Sequence, residues 1–128
     1  MTKTPSRSRK RTTASRPSTD LALAVAAAAD KKALDLVVLD LRKASAFTDY
    51  FVICTGANAR QVQAIAEAVQ ESVAKKGPKP SVVEGARRGD WILIDYFDFV
   101  VHIFTPATRE FYGLERLWGD AERVEISA

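Results

Sequence analysis

Between Gly89 and Phe104 the sequence reads GDWILIDYFDFVVHIF, which sets Asp90, Asp95 and Asp98 close to His102, the only histidine of the chain. Carboxylate oxygens and imidazole nitrogen can hold a divalent cation. In a strand beginning at Phe99, side chains alternate, so His102 shares a face with Val100 and Phe104. Asp98 joins that face if the register persists, and Asp95 lies across the turn. The spacing matches no zinc pattern, and no second histidine exists to complete one. A single histidine between Val101 and Ile103 reads as a buried sheet residue, so no metal site is expected.

Other chemistry is weaker still. CTGANAR places Gly56 between a strand and a helix N-terminus, where phosphate is often held. Neither G-x-G-x-x-G nor G-x-x-x-x-G-K occurs, so one glycine here reads as a turn. Ser45 and Cys54 have no motif that brings a base beside them. Cys54 lies mid-strand in FVICT, where an inert buried thiol is the ordinary reading. No catalytic residue and no cofactor is expected.

The elements that would position these residues follow from periodicity. Residues 19–32 read as a helix capped by Ser18, and Leu34–Leu41 and Tyr50–Thr55 as strands. Ala59–Lys76 is the clearest helix. Asn58 caps it, Gln61 completes a capping box, and Val62, Ile65, Ala66, Val69 and Val73 make one apolar stripe. Lys75 and Lys76 suit its last turn, and Gly77 and Pro78 stop it. PSVVEG is a short strand, and WILID and FVVHIF form a hairpin around Tyr96, Phe97 and Asp98. Thr105 and Pro106 open a third helix that carries ATREFYGLERLW through Gly113. ERVEI ends the chain as a short strand or irregular segment. The order predicts a single α/β domain over residues 18–128, with a mixed β-sheet of about five strands packed with helices.

The chain has 128 residues, is 47% hydrophobic and has no run approaching a membrane span. A lone cysteine gives no sign of an oxidising compartment, so a cytoplasmic location, or an equivalent reducing organelle interior, is expected. Residues 1–17 hold six basic side chains and no acid, and read as a disordered tail that could touch phosphate loosely. They have no apolar stretch of a secretory signal. Without those six, 13 of the 19 basic residues face all 16 acids, a net of −3 for the body. A mildly acidic body suits a basic protein partner better than nucleic acid.

A docking surface therefore competes with a core reading of the same segment. Trp91, Leu93 and Asp95 alternate on one strand face, and Ile92, Ile94 and Tyr96 on the other. If helices cover only one face of the sheet, one of these sets lies open. Trp and Tyr are common interface anchors, and acids beside them would steer a basic partner. The expected partner-binding residues are Trp91, Leu93, Asp95, Tyr96 and Asp98.

SAFTDYFVICTGANARQVQAIA, DWILIDYFDFVVHIF and REFYGLERLW together closely resemble the ribosomal silencing factor family, RsfS or Iojap. The resemblance covers about residues 20–120. It implies a reduced nucleotidyltransferase-like fold without enzyme activity. It also implies binding to ribosomal protein fourteen of the large subunit, which blocks joining of the small subunit and represses translation when nutrients are short. Organellar relatives act in large-subunit assembly, and members can form homodimers. Nucleotidyltransferases carry Gly-Ser at a helix start and a close carboxylate pair. Here the turn reads Gly56-Ala57-Asn58, and Asp95 and Asp98 straddle a turn. An enzyme using these two aspartates remains the alternative, beside an assembly factor gripping RNA through its basic tail.

Overall fold

The computed structural model describes residues 19–44, 46–76 and 79–126. The expected basic tail, its cap Ser18, and the stop at Gly77 and Pro78 lie outside the described residues. Helix α1 spans Thr19–Asp30 and buries Leu21, Ala24, Val25 and Ala28, the i, i+3, i+4, i+7 stripe of an amphipathic helix. Helix α2 spans Ala59–Ala74. Asn58 is its N-cap, with Oδ1 accepting from the Gln61 backbone N–H at 2.9 Å. The Gln61 side chain reaches back one residue further than a capping box requires, to the N–H of Ala57. The helix ends before Lys75 and Lys76, so these cations follow it rather than occupying its last turn. Val62, Ile65, Val69 and Val73 are fully buried. Each such side chain is worth roughly 1.5–3 kcal/mol when removed from water.

Six strands form one sheet in the order β3-β4-β5-β2-β1-β6. They are β1 (Leu34–Asp40), β2 (Tyr50–Thr55), β3 (Val82–Glu84), β4 (Trp91–Asp95), β5 (Phe99–Phe104) and β6 (Glu122–Val124). The mixed α/β architecture matches the expectation from element order, with β6 as a sixth strand against β1. Only β2 and β5 run parallel; every other pair is antiparallel. β4 and β5 form the expected hairpin, with Trp91 opposite Phe104 and Leu93 opposite His102.

The third helix differs from its expected form. It is broken into α3 (Pro106–Tyr112) and α4 (Leu114–Leu117) at Gly113, whose φ of 57° is left-handed. Gly113 donates its N–H to the Arg109 carbonyl and closes α3. Its lack of a Cβ matters here, because a left-handed residue ends the helix that the surrounding side chains would continue. After the break, Leu114 and Trp118 pack on the sheet.

Alternation divides the core. α1 and α2 cover one face, packing on Val38, Val52, Cys54, Ile92, Ile94, Val101 and Ile103. The other face carries Leu39, Phe51, Ile53, Val100 and Phe104. It is roofed only in part by Leu114, Trp118 and Ala121.

Candidate docking face

The partly roofed face is built from aromatic side chains that three strands project in the same direction. Trp91 on β4 stacks on Phe104 of β5, ring centroids 5.1 Å apart, and leans on Tyr112 of α3 at 4.5 Å. Phe51 of β2 meets His102 edge-on at 4.6 Å and Trp118 at 6.0 Å. Phe47, on the connection before β2, continues the layer to Phe51 at 6.2 Å. Such pairs add cohesion beyond their buried area and hold the rings in fixed orientations.

His102 sits inside this layer and is 4% exposed. Its Nδ1 accepts a hydrogen bond from the Trp91 indole at 3.2 Å. Burial pushes its pKa down to about 4. The ring is therefore neutral near pH 7, with one nitrogen occupied by an indole. Among the described residues no three His, Cys, Asp or Glu side chains cluster as a cation site. Cys54 is buried on the helix-covered face, and burial raises its thiol pKa to about 12, where a thiolate nucleophile does not form near neutrality. At Gly56, an added Cβ would lie 2.8 Å from Val62, so this turn is packed against the start of α2.

The structure brings some of the expected binding residues together and separates others. Trp91 and Leu93 are half-buried on the partly roofed face, side by side. Asp95 ends the same strand, and its Oδ1 accepts the Phe97 backbone N–H at 2.8 Å. Asp98 is exposed beyond the turn, and its carbonyl accepts from the backbones of Asp49 and Tyr50. Tyr96 points to the opposite face. It packs in the helix-side core at 9% exposure and stacks on Phe99. Burial, with Asp20 adding to it, raises its pKa to about 12. Strand alternation is the reason: Tyr96 follows Ile92 and Ile94, so it cannot share one contact surface with Trp91 and Leu93.

Sequence reasoning missed the most exposed members of this face. Phe111 is 78% exposed, Phe47 74% and Leu117 72%, and Tyr112 stands half out of the surface beside Trp91. The signal available was slight. Phe111 and Leu117 fall on opposite sides of Gly113, and no apolar period joins them to the strand residues of this face. A cleft beside Trp118 and Leu117 is rimmed by Asp40, Asp120 and Glu122, with Lys43 as its one cation. Asp40 is held by a bidentate pair with Arg42, whose guanidinium keeps its carboxyl below the usual range. A large apolar patch with acids at its edge is the composition of a protein-binding surface.

The chain matches the family model described as "Ribosomal silencing factor during starvation" over residues 13–128. It is 43% identical to the ribosomal silencing factor RsfS of Halalkalibacterium halodurans, over 83% of this chain and 91% of that one. It is 41% identical to RsfS of Bacillus subtilis, over 83% and 90%. A crystal structure of a protein from Chromobacterium violaceum superposes with a TM-score of 0.76 at 34% identity, covering 85% of this chain and 90% of that one. With the family model spanning nearly the whole sequence and the same fold in a solved relative, this chain belongs to the ribosomal silencing factor family.

Proposed function

We propose that this protein represses translation by binding a basic protein of the large ribosomal subunit, ribosomal protein fourteen, and by occupying space that the small subunit needs. The observation that carries this reading is the partly roofed sheet face. Half-buried Trp91 leans on Tyr112, Tyr112 meets exposed Phe111 edge-on, and exposed Leu117 lines one cleft with Trp118 of the same face. About 800 Å² per partner makes a specific interface, and a patch built on aromatic rings fixed by strands needs little ordering to reach it. Asp95 and Asp98 lie at one end of the face, where they would meet Lys or Arg of the partner. Steric exclusion requires no bond to be made or broken. The protein acts in this reading as a non-enzymatic factor in the cytoplasm, and no described helix is long and apolar enough to cross a membrane.

Co-sedimentation with isolated large subunits tests the assignment. Phe111→Asp and Asp95→Lys should each weaken binding, Phe111→Asp by about 2 kcal/mol if it is a hot spot. Trp91→Ala should weaken it further, and its melting temperature shows how much of the loss is folding. Wild-type binding by folded Phe111→Asp and Asp95→Lys together would remove this face from the interface. The nucleotidyltransferase reading has its own test. A saturable rise in melting temperature with Mg²⁺ and a nucleoside triphosphate, lost in Asp95→Asn, would support it.

A further inference from the structure

The β4–β5 turn contains a residue whose backbone and side chain are at odds. Phe97 has a φ of 77°, in the left-handed region where a bulky side chain is a steric outlier. Glycine or asparagine occupies such hairpin positions without that penalty. Burial does not compensate, because Phe97 is 70% exposed. The surrounding chain nevertheless fixes it. Asp95 Oδ1 accepts its N–H at 2.8 Å. Its carbonyl accepts a hydrogen bond from Oγ1 of Thr48 at 2.8 Å, and Thr48 is itself buried. Next to it, Asp98 donates its N–H to the Tyr96 carbonyl, and the Asp98 carbonyl accepts from Asp49 and Tyr50. Strained backbone held by a buried polar partner and displaying an apolar ring to water is what a preorganised binding group requires.

We propose that Phe97 is a preformed anchor that inserts into an apolar pocket, rimmed by Lys or Arg, on the basic large-subunit protein. This rests on the functional reading above and names a contact within it. The charges around the ring select the occupant. Asp95 is held against the Phe97 backbone by its own carboxylate, and the chain beyond residue 17 carries a net charge of −3. A basic rim complements the Asp95 carboxylate and the acidic body of the chain. A second copy of this chain meeting ring to ring across a two-fold axis would bring the same acids together, and an RNA backbone or an anionic membrane would be repelled likewise. Phe47, 74% exposed and adjacent to Thr48, lies at the same end of the sheet and extends the apolar tip.

The test uses the full chain and two substitutions that suit a left-handed backbone, Phe97→Gly and Phe97→Asn. Both should melt no lower than wild type, because the steric conflict is relieved. Both should bind isolated large subunits at least about tenfold more weakly. Undiminished stability with loss of binding is a combination that a merely structural or a merely solvated phenylalanine does not produce. If wild type binds large subunits and both variants bind equally well, the anchor assignment is wrong. It is also wrong if both variants melt several degrees lower, or if ring loss instead dissociates a dimer of this chain or weakens binding to protein-free ribosomal RNA. If wild type itself does not bind large subunits, the functional reading fails first.

Discussion

The indole Nε1–H of Trp91 donates to Nδ1 of His102, 3.2 Å away across the β4–β5 pair. This one bond links the only histidine to the central aromatic of the proposed docking face. The acceptor must be an unprotonated nitrogen, so His102 carries its proton on Nε2, which has no partner among the described residues. An imidazole that first suggests a ligand thus serves to fix the plane of Trp91.

The burial of His102 makes stability depend on pH in a defined window. The folded pKa of His102, about 4, lies below the ordinary 6.5 because burial disfavours the cation. Protons therefore favour the unfolded chain. The contribution is complete above pH 6.5 and is lost as pH falls through 4, a total of the order of 3 kcal/mol. Denaturant unfolding followed from pH 7 to 4.5 should show this slope. His102→Gln should flatten it, since the amide does not titrate. An unchanged slope in that variant would place the pH sensitivity elsewhere.

Tyr96 provides the opposite control. Its hydroxyl is buried without a partner among the described residues, on the face away from Trp91. Removing an unsatisfied buried hydroxyl is neutral or stabilising, by up to about 1 kcal/mol. Tyr96→Phe should therefore fold at least as well as wild type and bind large subunits equally well. Weakened binding without loss of stability would return Tyr96 to the interface.

Much of this arrangement is legible in the sequence, and the illegible part has a physical reason. The α2 stripe from Val62 to Val73, its Asn58 cap, and the strands of the β4–β5 hairpin each announce themselves by a period of 3.6 or 2. The same period shows that Trp91 and Tyr96 face apart. It does not say which face the helices leave uncovered, since that is decided by contacts distant in sequence. The break at Gly113 is hidden because the helical pattern resumes after it, and the exposure of Phe111 and Leu117 is set by packing that no local pattern records. The turn around Phe97 is legible from the two flanking strands, but its left-handed backbone is not, because that conformation is ordinarily signalled by glycine or asparagine.

Arg109 holds α3, and with it Tyr112, against the sheet. Its guanidinium donates to both carboxylate oxygens of Glu115, at 3.0 and 2.9 Å, and to Oγ1 of Thr55 at 2.8 Å. The Arg109 hydrogen bonds hold the Glu115 carboxyl below its usual pKa, against a smaller opposing effect of burial. The pair therefore stabilises the fold above pH 4.5 and is lost as pH falls below it. Arg109→Met should cost about 1–2 kcal/mol near neutrality. That is less than a fully buried pair, because water reaches Glu115 and Arg123 stands 3.8 Å away. A thermal melt checks it; no change would mean the contact to β2 is dispensable.

The proposed action, keeping ribosomal subunits apart by occupying a surface, is tested most directly by subunit joining. Separated large and small subunits would be mixed after adding increasing purified protein to the large one, and joined particles counted on a sucrose gradient. Joining should fall with saturation, with no nucleotide needed, and folded Phe111→Asp should restore it. Undiminished joining at saturating protein would contradict the account.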